Sequence, residues 1–330
     1  MKLLRPLMLS TLFAGAMCGS AHASLATFQT FVGNYGVSTD GFGSTTQAGS
    51  ISAFVPAGAV VTAAYLYTST YAGVAGIGGT LAGTAVNYST LLGATGAGNA
   101  LQAARADVTS IVKPLVDGGP GGTYGFSVTE TSFSQDGEAL VVVYSLPSLG
   151  ISTIGILDGF AETTGDTTTI NFASPLDPSA PGFSAEMRLG IGFSFDGLPC
   201  GATSTQSSTI DVNGTRITDS AGCNDDSDDA SPNNGNLITV GGDDDPFSPM
   251  LPPIAQDHER YNLVPRIASG DTSIRIDTRN ASDDDNVFLA VFKVTGEAEI
   301  TNHVPEPLSL SLVGIGLLGL GAQRRLCARR

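Results

Sequence analysis

Between its two ends, this chain predicts an all-β body, a β-sandwich or jelly roll with one short helix, over residues 24–303. Three observations carry that reading. Short runs rich in β-branched and aromatic residues recur along the chain with turn residues between them. One of these runs, Leu140 to Tyr144, is apolar without a break, as in a strand covered on both faces. Only one stretch, Ala100 to Val116, spaces its apolar residues as a helix would.

The chain opens with Lys2 and Arg5, an apolar run from Leu7 to Met17, and then Ala21-His22-Ala23 before Ser24. A basic start, a short apolar stretch and small residues at −3 and −1 are the parts of a secretory signal over 1–23, cut by signal peptidase between Ala23 and Ser24. The apolar run is too short to span a bilayer. Met17 before Cys18 does not fit the small residue that a lipoprotein signal needs.

Val60 to Tyr71 reads as the first clear strand, with Tyr65, Tyr67 and Tyr71 on one parity. In Ala100 to Val116, residues Leu101, Ala104, Val108, Ile111, Val112 and Leu115 mark a helix that Pro114 ends or kinks. It is expected to pack across one end of the sandwich. Tyr124 to Thr131 and Glu138 to Leu146 read as a hairpin through Gln135-Asp136-Gly137. Ser152 to Phe160, Thr167 to Ala173, Phe183 to Phe195 and Ser208 to Val212 continue the series. Turns are signalled at Asp166, Asp196-Gly197 and Asn213-Gly214. Thr272 to Asp277 and Asn286 to Thr295 close it. Residues 219–257, with Asn224 to Asp229, Gly241 to Pro246 and Pro249 to Pro253, read as a long acidic loop or exposed insertion. A body of this length fits one large sandwich or two subdomains.

The C-terminal end has three parts in order. Val304-Pro305-Glu306-Pro307 comes first, then an apolar stretch from Leu308 to Ala322, then Arg324, Arg325, Arg329 and Arg330. The paired prolines keep the motif extended. The 15-residue apolar stretch covers roughly 22 Å as a helix, enough for a thinned bilayer with snorkelling arginines. The arginines would stay cytoplasmic and leave the body outside. Residues 304–330 resemble the PEP-CTERM sorting signal of Gram-negative bacteria. That resemblance implies recognition by an exosortase, transient anchoring in the inner membrane, then release or transfer to the cell surface or extracellular matrix. It also implies a link to exopolysaccharide and biofilm. Gly314 to Gly319 matches a dinucleotide fingerprint by letter, but it lies in this apolar stretch with no strand before it and no room for a βαβ unit after it.

In the body, Arg105-Ala106-Asp107-Val108-Thr109, Gly137 to Tyr144, Leu157-Asp158-Gly159-Phe160 and Asn280 to Phe288 resemble a surface β-sandwich module of the DUF3344 kind. The resemblance implies fold and location more than mechanism.

Composition narrows the function. Without its ends the body holds nine basic and thirty acidic residues, near −21 against −16 for the whole chain. Such a surface repels nucleic acid, and anionic polysaccharide too unless cations bridge them. Hydrophobic residues at 42% make it a folding chain and not a disordered acidic polymer. Only Cys200 and Cys223 remain in the body, in a compartment that permits a disulfide, and they are expected to be bonded. His258 and His303 are the body's histidines, and no Gly-x-Ser-x-Gly elbow accompanies them. His258, in Asp257-His258-Glu259-Arg260, is expected to be an exposed loop residue. Paired carboxylates for glycoside hydrolysis remain the one enzymatic route. Calcium is the metal that Asp283, Asp284, Asp285 and Asn286 would take, or Asp243, Asp244 and Asp245, because it prefers hard oxygen ligands. The expected role is a non-catalytic structural or adhesive one at the surface or in the matrix. Binding of exopolysaccharide or other matrix components is the alternative, with a polysaccharide-active enzyme third.

Overall fold

The computed structural model describes residues 24–43, 46–71, 76–94, 101–161, 164–192, 208–222, 238–253, 256–280 and 286–303. In chain order the strands are β1 (Ala26–Gly33), β2 (Tyr35–Phe42), β3 (Ala48–Val55), β4 (Val60–Thr70), β5 (Gly79–Leu81), β6 (Thr84–Val86), β7 (Thr90–Ala94) and β8 (Gln102–Asp107). The helix α1 (Thr109–Val116) follows, then β9 (Gly122–Glu130), β10 (Gln135–Ser145), β11 (Ser152–Asp158), β12 (Asp166–Phe172) and β13 (Ala185–Gly192). The series ends with β14 (Ser208–Val212), β15 (Thr215–Ala221), β16 (Ile238–Val240), β17 (Arg260–Asn262), β18 (Ser273–Asn280), β19 (Asn286–Thr295) and β20 (Ala298–His303). Every pairing among them is antiparallel. Among the described residues the body is all-β with one α-helix, as the residue pattern predicts.

The strands form four sheets. An outer N-terminal sheet has the order β3-β9-β5-β6, and an inner one β2-β10-β4-β8-β7. An inner C-terminal sheet has the order β1-β11-β19-β13-β16, with β17 also on β13, and an outer one β15-β14-β18-β12-β20. Three apolar cores lie between successive sheets. Ile51, Phe126 and Val128 meet Leu66, Leu140 and Val142 in the N-terminal sandwich. Met187, Leu189 and Phe292 meet Ile170, Ile210 and Ile276 in the C-terminal one. Tyr65, Tyr67 and Val141 meet Ile154, Ile156 and Val291 between the two inner sheets. The layers therefore stack as two sandwiches back to back. This explains β10: Leu140 and Val142 face one core, Ala139, Val141 and Val143 the other, and all five are fully buried.

The first strand joins the far sandwich. β1 pairs with β11, and the chain then passes through Asn34 into β2 of the inner N-terminal sheet. Small residues let the layers close here. The Tyr144 ring lies over Gly36, where a Cβ would stand 2.5 Å from it. The β14–β15 hairpin turns at Asn213-Gly214, both at positive φ (49° and 75°), which is the two-residue geometry that an Asn-Gly pair favours.

Four expectations are corrected. The helix is only Thr109–Val116, and Gln102–Asp107 is a strand between β4 and β7. Alanines at 103, 104 and 106 fill both of its faces, and small residues carry no helical period that resists sheet pairing. Pro114 lies inside the helix; Val108, Val112 and Val116 anchor it on the N-terminal core. Gln135-Asp136-Gly137 is not a hairpin turn. β9 belongs to the outer sheet and β10 to the inner one, so the chain changes layers, and Gly137 (φ 137°) sits at an irregularity in β10. Asp166 begins β12 rather than marking a turn. The described part of 219–257 is not plain exposed loop, because Ile238 and Val240 of β16 enter the inner core. Among the described residues no helix is long and apolar enough to cross a membrane. The expected signal, with Ala23, and the tail from Val304 lie outside them; Ser24 is half-buried.

Candidate functional site

Among the described residues, most of the charged side chains that fold into the body gather at four places. The most open is a cleft where β13 runs past β2, the edge strand of the inner N-terminal sheet. On β13, Met187, Leu189 and Ile191 face the C-terminal core, so Glu186 and Arg188 face the other way. Beyond the edge of β2 that side has no sheet to cover it. Glu186 stands opposite Lys293 of β19 and Asn262 of β17, and Arg188 opposite Arg260 of β17. Two arginines opposite each other repel. Carboxylates and carbonyls compensate. Arg188 Nη1 lies 2.6 Å from Asp243 Oδ1 and donates to Thr39 Oγ1 at 2.9 Å, and Nη2 reaches Glu186 at 3.3 Å. Arg260 Nη1 donates to the carbonyls of Asp243 and Asp245 at 3.0 and 2.7 Å. Burial alone would lower the Arg188 pKa, but Asp243 and then Glu186 outweigh it and hold the guanidinium above its usual value.

The cleft holds about 400 Å³, and a neighbouring hollow of about 380 Å³ shares Phe54, Asp243 and Arg260 with it. Phe54 and Phe247 are each 45% exposed, and the Arg260 guanidinium stands 4.7 Å from the Phe247 ring centroid. At its rim Asp40 accepts from the amides of Ser52 and Gly41. Burial pushes the Asp40 carboxyl up to about 7; the Ser52 contact opposes this and the Asp244 charge adds to it.

Beneath the cleft lie Asp257 and Glu259, both fully buried. Asp257 accepts from Tyr261 Oη at 2.6 Å and from the Thr218 hydroxyl. Glu259, at a positive φ of 51°, accepts from the Gly222 amide at 2.9 Å and from the Thr239 hydroxyl. Burial raises both carboxyls, and for Glu259 the neighbouring Asp257 charge raises it further. His258 between them is partly covered, with Nδ1 3.8 Å from Asp245 Oδ1, and so is not the exposed loop residue expected. Ser248 donates to Asp257 and its oxygen accepts from the His258 backbone amide. No hydroxyl among the described residues is hydrogen-bonded to the imidazole.

The third place is the end of the N-terminal sandwich. Glu130 and Glu138 point into its core from the outer and inner sheets, with Asp136 beside them, all at most 6% exposed. Both Glu130 oxygens and Asp136 Oδ2 have no hydrogen-bond partner of normal geometry. Glu138 accepts from the Tyr88 hydroxyl and, at 3.4 Å, from Gln135. The fourth place joins the sandwiches. Arg105 of β8 lies 3.3 Å over the Phe28 ring and pairs with Asp158 of β11, which Tyr67 also approaches at 3.3 Å. Arg105 and Asp158, quoted from separate motifs of the sequence, thus meet in space.

The expected calcium ligands fare differently. Asp243, Asp244 and Asp245 diverge: the first pairs with Arg188, the second faces Asp40, and the third accepts from the Gly242 amide at 2.7 Å. Asp283, Asp284 and Asp285 lie outside the described residues, and Asn286 is a buried residue at the start of β19. Among the described residues no three Asp, Glu, His or Cys side chains form a ready-made metal centre. Cys200 and Cys223 also lie outside them. Sequence reasoning missed Glu186, Arg188, Arg260 and Glu130. The signal was present for the first two: opposite charges two apart on one parity of an otherwise apolar strand.

No protein-family model matches the chain, and no curated protein matches it significantly. The resemblances of the tail and of the body therefore rest on the residues quoted for them.

Proposed function

We propose that the protein is exported, processed between Ala23 and Ser24, and sorted by an exosortase through Val304-Pro305-Glu306-Pro307, to act as a non-catalytic structural or adhesive component of the surface or biofilm matrix. The observation that carries this reading is the tail: motif, apolar stretch and arginine cluster in that order. The back-to-back sandwiches, with the first strand locked into the second, suit a load-bearing body. Replacing Pro305-Glu306-Pro307 with alanines should leave the protein unprocessed in the inner membrane. A variant that reaches the surface at its normal mature mass would overturn the sorting mechanism.

A second reading, recognition of exopolysaccharide, is favoured by one observation: the cleft places two half-exposed phenyl rings beside charged hydrogen-bonding groups. Turnover of a polysaccharide by the purified protein would sink both readings and favour an enzyme.

A further inference from the structure

The cleft beside β2 and β13 has three polar atoms that are buried yet unsatisfied: Nε of Arg188, Nε of Arg260 and Oδ2 of Asp243. Two are donors and one is an acceptor, all on residues lining one cavity of about 400 Å³. Buried groups of this kind normally find a partner. The lining charges are Arg188, Arg260 and Lys293 against Glu186 and Asp243, an excess of one positive charge in a chain whose formal charge is −16. The excess is held in reserve, since Glu186 alone stands 3.3 to 3.8 Å from all three cations. Phe54 and Phe247 supply the apolar surface.

A ligand that answers all of this needs hydroxyls that both donate and accept, an apolar C–H face for the rings, and one negative charge. A simple inorganic anion uses neither the rings nor the Asp243 acceptor. Repulsion from the acidic body disfavours any polyanion spread over the surface, nucleic acid and polyuronate alike, and leaves only a ligand whose charge seats within the cleft. We propose that the cleft binds a uronate-bearing oligosaccharide: its carboxylate on the Arg260–Lys293 side, its hydroxyls on Arg188 and Asp243, and a sugar face on Phe247. This deepens the exopolysaccharide reading above and rests on it for the source of the ligand, though not for the chemistry.

The test is calorimetric titration of the full-length chain, solubilised in neutral detergent, with oligogalacturonate, alginate and glucuronate-containing oligosaccharides. Methyl-esterified oligogalacturonate and a cello-oligosaccharide of equal length serve as uncharged comparisons. At least one acidic oligosaccharide should bind saturably and lose affinity by about tenfold when its carboxylates are esterified, the scale of one charge-assisted contact. Affinity should fall with added salt. Phe247→Ala and Lys293→Gln, both at accessible side chains, should each weaken binding by a similar factor with unchanged melting temperatures. Equal affinity for acidic and neutral sugars overturns the uronate assignment. Binding to none of the panel, or wild-type affinity in both variants, overturns the site. A chain that is not sorted but still binds sinks the sorting mechanism and leaves the cleft intact. One that is sorted and does not bind sinks the cleft alone.

Discussion

Glu130→Gln should flatten the pH dependence of folding stability. Glu130, Asp136 and Glu138 occupy the end of the N-terminal core, where Phe126, Val128, Leu140 and Val142 continue the same faces with apolar groups. Burial raises the Glu130 carboxyl from 4.5 to about 8, partly opposed by Gln47 and the Gly137 amide. It raises Asp136 from 3.8 to about 8, with the Glu130 charge adding to it, and carries Glu138 well above its usual value. The folded state therefore holds these protons more tightly than the unfolded chain. The Glu130 contribution is fully present below about pH 4.5 and is lost as pH rises through about 8. One pKa unit corresponds to about 1.4 kcal/mol, so Glu130 alone sets an upper bound near 5 kcal/mol. Relaxation and water entry reduce that to a few kcal/mol. Urea denaturation followed by circular dichroism at pH 5 and pH 9 measures it. The wild-type chain should be less stable at pH 9, and Glu130→Gln, which cannot ionise, should recover roughly 2 kcal/mol of that loss. The three acids titrate as a group, so the recovery is partial. Two parallel stability curves, offset but equally steep, would refute the reasoning.

Arg105→Ala should cost roughly 3 kcal/mol in the same assay, because it strands the mostly buried Asp158 carboxylate between the sandwiches; a change within experimental error would show the pair to be dispensable. Cys200 and Cys223 should be bonded, closing a loop whose cross-link stabilises by roughly 3–4 kcal/mol; a free thiol at either position by mass spectrometry rules the bridge out. Calcium at the Asp283–Asn286 run remains a proposal from sequence, and millimolar calcium should raise the melting temperature more than magnesium does. Equal curves with calcium, magnesium and chelator dispose of it.

Sequence patterns were legible where one force dominates. The unbroken run in β10 announces a strand covered twice, and the structure sandwiches it between two cores. β19 spans Asn286–Thr295, the run its residues mark out. Asn213-Gly214 turns as its chemistry requires. Legibility failed where local pattern and tertiary context disagree. Leu101, Ala104 and Val108 match a helical period, but alanine fits either period and sheet pairing decides. Gln135-Asp136-Gly137 has hairpin composition, yet the strands on either side belong to different layers, and no local signal records a change of layer. The cleft was hardest to foresee because it depends on where one sheet outruns another. That offset is set by long-range register. Even so, the charges on Glu186 and Arg188 in an apolar strand, and on Asp257 and Glu259 two apart, break a local rule, and such breaks tend to mark special sites.

The burial of acids also changes how the formal charge should be read. Burial pushes Glu130 and Asp136 up to about 8, so at neutral pH these two of the body's thirty acidic residues mostly hold protons, and it raises Glu138, Asp257 and Glu259 as well. The field at the surface is correspondingly weaker than the formal count implies. What remains is screened over about 10 Å in ordinary salt. Within the cleft, Arg188, Arg260 and Lys293 lie less than 4 Å from Glu186, well inside that distance. A ligand's carboxylate entering there meets the local cations before the distant acids. An acidic body and an acidic ligand are thus compatible, provided the ligand seats in the cleft and does not spread over the surface. That condition favours binding of single chain segments over nonspecific coating, and it makes the salt dependence of affinity the sharpest readout of where the ligand sits.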